Sequence, residues 1–545
     1  MNFLSPKHLK NLRIGAISTL FLPTLFFIAG IRLQKFSTAL QFSVTAGVVL
    51  LVPLIIKRFG NVGLRLPLPA RPSVRTIAML AMSMVLGSLY YGWRCMPKAR
   101  GNEGKLCGDA IVAIKANSVV VNDQPRGIFY GYGTIAGMRS VGIGGHADAP
   151  VGERIFFSVK GANGDEIPVV GQVFEVHGRL KFVRSGSGWW FLKHLENSHV
   201  RWHISDCFTV PCAGKPPPLG VIFRKISDRF VRSLAVGVEG RPTEVGILSG
   251  MLTGLKQRMD GNSRSMFNDL GIAHLFAVSG IHVGIIGMAI NFFLKIFAVR
   301  KGFRTALTLV ALAIYVNAVG CSPSAVRALT MVMFYHASTL LGRKPNSLSA
   351  LTNSALLHAV VNPFVVFNIS FLLSYSVVAG IILIGLPLKN FLAQIFLDLH
   401  GLKLGSFLPL HRLWFRVKGT IVTSIAVSTA AYFASLPLSI GYFGTMSLLT
   451  IPVNMVVVPI AACAIVAGAV ALFFGMCGLW TLCAAVNKIS CSLVFVFRLL
   501  AQCFHLEACC FRNIPLSLGC GAAMTMVLLI AAYAAVSRAH LVDCV

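Results

Sequence analysis

Residues Phe267 to Gly284 read FNDLGIAHLFAVSGIHVG. The run is apolar enough to enter a membrane, yet it carries two histidines and a Ser-Gly break. Polar groups at membrane depth are costly, and they face a cavity or a helix contact in preference to lipid. His274, Ser279, Gly280, His282 and Gly284 are therefore the first candidates for a functional site. Read as one continuous helix with a rise of about 1.5 Å per residue, the stretch puts His282 about 12 Å deeper than His274 and on the same face.

Working outward, composition sets the class. Of 545 residues, 55% are hydrophobic and only 12% charged, which excludes a soluble enzyme and indicates a polytopic membrane protein. The net charge of +31 is unevenly placed: residues 1–93 hold ten Lys/Arg and no acid, and residues 270–545 hold sixteen against three. Positive-inside bias accounts for the larger share, and a polyanionic partner for part of the rest.

Three apolar runs, at about 14–31, 36–56 and 74–93, make residues 1–93 a set of three membrane helices with the N-terminus inside. Residues 94–215 change character, with ten of the chain's eighteen acids and alternating stretches such as RIFFSVK and GQVFEVHGRLKFV. This is the pattern of a small extracytoplasmic β-domain, inserted after the third span. Its cysteines, Cys95, Cys107, Cys207 and Cys212, are even in number on the side where disulfides survive, and three pairings are open. Aromatics (Tyr130, Tyr132, Trp189, Trp190, Trp202) alternate with Arg184, Lys193 and Arg201. Rings for stacking and cations for phosphates make a single-strand platform; the competing reading is that the rings are barrel core.

Residues 216–266 form a connector. Arg224, Lys225, Arg229 and Arg232 at helical spacing indicate an amphipathic helix at the membrane surface, and Val245–Leu255 is too short to span, so it is re-entrant or packed on other helices. Nine further spans begin near 271, 303, 325, 347, 364, 419, 447, 479 and 516, giving about twelve in all. Loops with Arg300, Arg343 and Lys389 through Lys418 then fall inside, and those near Cys321, Asn362 and Thr445 outside. Both termini are cytoplasmic on this topology. Arg327 lies near the outer mouth, either as a snorkelling anchor or as a phosphate contact, and Ser322 or Ser324 caps its helix. Asn454 and Pro459 mark an irregular, inward-facing helix.

Enzyme readings fail on inspection. Ser279 with His282 has no orienting acid nearby, no Walker A sequence or HxHxDH-like metal motif occurs, and no cofactor is expected. A proton-coupled small-solute transporter, using His274, His282, His336 or His358 as relay, is the alternative of another class.

Taken together, GILSGMLTGL (246–255), FNDLGIAHLFAVSGIHVG (267–284), GCSPSAVRALTM (320–331), LGRKPNSLSALTNSALLHAVVNPFVVFNISFLLSYSVVAGI (341–381) and LPLSIGYFGTMSLLTIPVNMVVVP (436–459) resemble the ComEC competence family. The resemblance implies an inner-membrane channel, in residues 267–545, that brings single-stranded DNA into a bacterium, with an OB-like domain outside. It also implies an external DNA receptor and a cytosolic ATPase or helicase motor, and it leaves a homo-oligomer open. Where family members have Gly-Phe-Gln-Leu-Ser-Phe, this sequence has SFLLSY at 370–375, with Leu372 in place of the glutamine. The metallo-β-lactamase-like domain of many members is not in this sequence, so a separate nuclease is expected.

Overall fold

A computed structural model describes residues 21–33, 74–95, 108–117, 121–123, 128–140, 151–160, 168–183, 195, 200–210, 216–255, 259–276, 280–397, 409–444, 446–447, 449–504, 510–511 and 518–542. Two helices packed on each other come first, α1 (Phe21–Leu33) and α2 (Val74–Cys95). Gly87 of α2 lies so close to the Phe27 carbonyl that any Cβ there would collide.

A small β-domain follows, built of β1 (Gly108–Ala116), β2 (Val121–Asp123), β3 (Ile128–Ser140), β4 (Arg154–Lys160), β5 (Val173–Phe182) and β6 (Trp202–Val210). Strand order β1-β5-β6-β4-β3 closes on itself through a β1–β3 pairing, and β2 extends β3 as a hairpin. All pairings are antiparallel except β4 with β6. This is a five-stranded closed barrel with the connectivity an OB-like domain needs. Alternation on β5 buries Phe174, Val176 and Leu180 and turns His177, Arg179 and Lys181 outward. Gly178 has no Cβ where one would meet Cys207 Sγ at 2.8 Å, and the β5–β6 register shifts beside it.

The helical part continues with α3 (Pro218–Ala235), α4 (Pro242–Thr253), α5 (Gly261–Asp269), a 3₁₀ turn (Ala273–Phe276), α6 (Gly280–Ile296), α7 (Lys301–Ala318), α8 (Pro323–Leu340) and α9 (Ser347–Val361). After a 3₁₀ turn at Pro363–Phe367 come α10 (Ile369–Gly380), a π-turn (Ile381–Gly385) and α11 (Leu386–Leu397), which together make one continuous helix. Then follow α12 (Pro409–Phe443), the short strand β7 (Met446–Ser447), α13 (Thr450–Met476), α14 (Trp480–Cys503), β8 (Cys510–Phe511) and α15 (Leu518–Val542).

Two cores result. One joins α3 through α8 with α13 and α14, around Leu248, Phe267, Val283, Leu312, Val457 and Phe497. The other joins α1, α9, α10 and α15, around Phe21, Leu351, Phe371 and Leu529. Small residues bring α12 close to its neighbours: Ala426, Ala430 and Ala434 repeat every fourth position and are fully buried. On the outside, Met288, Phe292 and Ile296 of α6 and Phe297 just after it are all more than 60% exposed, an apolar face that suits lipid.

Against the expected twelve spans, four helices among the described residues are long and apolar enough to cross a membrane: Ile369–Phe396, Val417–Phe443, Thr450–Met476 and Trp480–Cys503. His282–Ile296, Ser347–Val361 and Cys520–Tyr533 are shorter apolar helices. The expected span at 36–56 lies outside the described residues. The amphipathic connector is more than a surface helix. Phe230, Ser233 and Leu234 of α3 are buried in the bundle, where Gly475 gives Ser233 room to approach and Asn487 Nδ2 donates to the carbonyls of Ser233 and Val236 at 2.7 and 2.9 Å. The segment at Val245–Leu255 forms α4, with nine of its twelve residues buried, and Tyr315 Oη donates to Leu252 O at 2.6 Å.

Candidate functional site: an arginine junction between three helices

The chain enters α8 through a tight turn. Gly320 and Cys321 take positive φ (89° and 50°), Ser322 accepts from the Ala325 N–H, and Pro323 occupies the first helical turn. Of the two cap candidates the structure selects Ser322, and Ser324 is half-buried in the first turn. Arg327 follows one turn later.

Arg327 is only 2% exposed. Its Nη2 donates to the Ser370 carbonyl at 2.7 Å, its Cζ lies 5.9 Å from the Tyr375 ring centroid, and its Nε has no hydrogen-bond partner. Ser370 itself starts α10, where Asn368 Oδ1 accepts from its N–H at 2.8 Å. The arginine therefore ties α8 to the first turn of α10 instead of standing open at a mouth. A charge held by one carbonyl and an aromatic face is retained at a desolvation cost.

A chain of hydroxyls extends the junction into α9, and its direction follows from the carbonyls at its ends. His358 Nδ1 contacts Ser354 O at 2.8 Å; a carbonyl only accepts, so Nδ1 carries the proton. Tyr375 Oη, 3.3 Å from that nitrogen, accepts there and donates to Ser354 Oγ at 2.9 Å. Ser354 then donates to Thr330 Oγ1 at 2.6 Å, and Thr330 donates to Arg327 O at 2.8 Å. Behind Tyr375 lies a cavity of about 80 Å³, with Thr24, Leu351, Ala355, Leu372 and Ser376 among its lining.

The opening stretch packs beside this junction. Gly280, first residue of α6, would place a Cβ 3.6 Å from that of Ala328, so the start of α6 meets SPSAVRA. His282 is fully buried. The single-helix reading of this stretch is corrected: Gly271 takes φ +72°, His274 sits exposed in the 3₁₀ turn with Nδ1 3.1 Å from Gly271 O, and the helix begins only at Gly280. His274 and His282 do not share a helical face, and the 12 Å depth does not apply. Gly284 faces open space, so it brings no helix close; Gly287, where a Cβ would lie 3.0 Å from Leu312 Cδ1, does that instead. Ser279 lies outside the described residues.

Asn454 is half-buried, and its Oδ1 has no hydrogen-bond partner. The expected irregularity at Pro459 is corrected, since α13 runs through it unbroken. Neighbouring helices let a membrane helix tolerate the donor that proline removes.

In the β-domain, Arg184, Trp189, Trp190, Lys193, Cys107 and Cys212 lie outside the described residues, and of Cys95 only the helical backbone is described. Cys207 is fully buried in the barrel. Arg201 pairs with Glu153 at 3.5 Å, and the same carboxylate accepts from Trp202 Nε1 at 2.7 Å, with Trp202 in the barrel core. Tyr130 and Tyr132 pack on Phe156 in a second small cluster. Burial holds the Tyr132 phenol above its ordinary range; Arg154 opposes that shift, while Tyr442, at the end of α12, adds to it.

Sequence reasoning missed Ser354, Tyr375, Thr330 and Arg32. Arg32 of α1 lies over the Phe367 ring at 5.9 Å, three residues before Ser370, and its only sequence signal was a cation at the end of an apolar run. Among the described residues, no three His, Cys, Asp or Glu side chains gather as a metal site.

Comparison with known proteins gives this geometry a family. ComE operon protein 3 of Bacillus subtilis (strain 168) is 26% identical over 284 residues, covering 51% of this chain and 32% of that protein. No solved structure matches. The family model described as Competence protein matches residues 251–538, more than half of the chain, and encloses α8, α9 and α10. The chain belongs to the Competence protein family, that of the ComEC proteins.

Proposed function

We propose that this chain is a channel that carries one strand of DNA inward across a bacterial cytoplasmic membrane during natural transformation. The observation that carries the reading is the convergence of three family-like segments on one point. SPSAVRA supplies Arg327, ALLHAV supplies Ser354 and His358, and SFLLSY supplies Ser370 and Tyr375. A strand's phosphates offer Arg327 what the Ser370 carbonyl offers at rest, an oxygen acceptor, and phosphate adds charge. On this reading Arg327, Ser324, His274, His282 and Asn454 flank the path, with Gly280 setting the α6–α8 approach.

The barrel receives the strand first, using Arg184, Trp189, Trp190, Lys193 and Arg201. Both termini are cytoplasmic. An external receptor delivers DNA, a separate nuclease removes the other strand, and a cytosolic motor or the proton gradient supplies energy. Lipid surrounds the bundle.

The solute-transporter alternative needs a continuous proton relay. His358 does belong to a hydroxyl chain, but that chain ends on the carbonyls of Arg327 and Ser354, which pass no proton onward. The test is entry of end-labelled DNA into cells with and without this gene, scoring DNase-protected cytosolic label apart from surface label. Loss of cytosolic label alone supports the channel; equal entry in both strains rejects it.

A further inference from the structure

We infer that α10 is a gate: its first half, Ile369–Gly380, swings about the π-turn at Ile381–Gly385, and Arg327 holds it shut. Three separate features of one helix meet in this arrangement. At its N-terminal end, next to the 3₁₀ turn at Pro363–Phe367, the contact from Arg327 Nη2 to Ser370 O is a single strong bond to a backbone acceptor on an exposed residue. Arg327 Nε is left over, so the guanidinium has spare donor capacity for another acceptor.

Beside the moving half there is room. The cavity of about 80 Å³ is bounded on one side by Leu372, Tyr375, Ser376 and Ala379 of α10 and on the other by α1, α9 and α15. Its walls are almost entirely apolar, so a rotating helix face enters it without burying an unpaired polar group.

Below lies the hinge. A π-turn inserts one residue into the helical ladder, which weakens the local hydrogen bonding and marks functional bends. Here it is pinned to α12: a Cβ on Gly380 would lie 2.5 Å from that of Ala434, and one on Gly385 would lie 3.2 Å from that of Ala430. The pivot is clamped, the segment above it borders space, and its tip is latched. What the gate admits rests on the DNA-channel reading; that it moves does not, and the test contains no nucleic acid.

The test follows labelling of Ser376→Cys by a small water-soluble methanethiosulfonate. The full chain stays in sealed membrane vesicles, and modification is read at that peptide by mass spectrometry. Ser376 is 9% exposed, so labelling is slow with the latch intact. Adding Arg327→Ala is expected to raise the rate at least tenfold, and adding Ala379→Leu, which fills the space the helix moves into, to bring it back down. A rate unchanged by Arg327→Ala, with exposed Leu341→Cys labelling normally, overturns the gate. Should Arg327→Ala fail to accumulate, Tyr375→Phe frees α10 from Ser354 and His358 and is expected to raise the rate several-fold. An unchanged rate there overturns the proposal equally.

Discussion

Removing the hydroxyl of Tyr375 and removing that of Ser354 break the same hydrogen bond, yet the two changes differ in cost, because of the direction in which the protons run. In Tyr375→Phe, Ser354 keeps its acceptor Thr330 Oγ1 at 2.6 Å, and His358 Nδ1 keeps Ser354 O at 2.8 Å. No donor is stranded, so the loss is that of one net hydrogen bond, about 1 kcal/mol. In Ser354→Ala, the Tyr375 hydroxyl, on a residue 8% exposed, loses the only acceptor its proton had. A buried donor without an acceptor costs about 1–3 kcal/mol, so the total loss is about 2–3 kcal/mol. The double variant removes the stranded donor together with its acceptor. It is expected to be no worse than Ser354→Ala alone, a coupling of about 1 kcal/mol. The assay is the folded fraction of the purified chain in mixed micelles titrated with dodecyl sulfate. If Tyr375→Phe costs as much as Ser354→Ala, or the two add, the proton direction derived from the terminal carbonyls is wrong.

Other changes test the packing. Gly475→Ala would push a Cβ to 2.2 Å from Ser233 Oγ and is expected to destabilise by about 1–3 kcal/mol, whereas Gly284→Ala, facing open space, stays within about 0.5 kcal/mol of neutral or gains from helix propensity. Heat-induced loss of monodisperse protein compares them. Asn487→Ala leaves the Val236 carbonyl without its side-chain donor and the Ser233 carbonyl with only the weak Cys483 Sγ donor at 3.2 Å, and is expected to cost about 2 kcal/mol, seen as faster proteolysis between α3 and α4. Glu153→Leu strands the indole N–H of Trp202 inside the barrel, with an expected cost of about 1–3 kcal/mol, visible as a shift in tryptophan emission at lower denaturant.

Much of the architecture was legible because it is local. Alternation in RIFFSVK and GQVFEVHGRLKFV is a period-two signal, and those stretches became β4 and β5 of the barrel. The turn before α8 was legible in Cys-Ser-Pro-Ser, since proline and a capping hydroxyl act within a few residues. The short apolar run at Val245–Leu255 could not span, and packed as α4. What failed was long-range or depended on one glycine. Arg327 finds its acceptor 43 residues away, and nothing in SPSAVRA names Ser370. The helix expected from near 271 starts only at Gly280, with His274 in a 3₁₀ turn just after Gly271 at positive φ, because hydropathy does not register a local change of backbone geometry. The π-turn in IILIG has no composition of its own; it is set by the glycines that seat it on α12. The connector's basic face suggested a surface helix, but the docking of Ser233 on Gly475 joins residues 242 apart.

The central claim, that an incoming strand passes the junction of α8, α9 and α10, is tested most directly by photo-crosslinking during uptake. A photoreactive residue is placed at Ser370, exposed at the junction, and for comparison at Phe292, on the apolar outer face of α6. Cells are supplied with end-labelled DNA and irradiated, and label on the chain is measured. Transfer at position 370 and none at 292 is the predicted result. DNA entering the cytosol with no transfer at 370, or equal transfer at both positions, would contradict it.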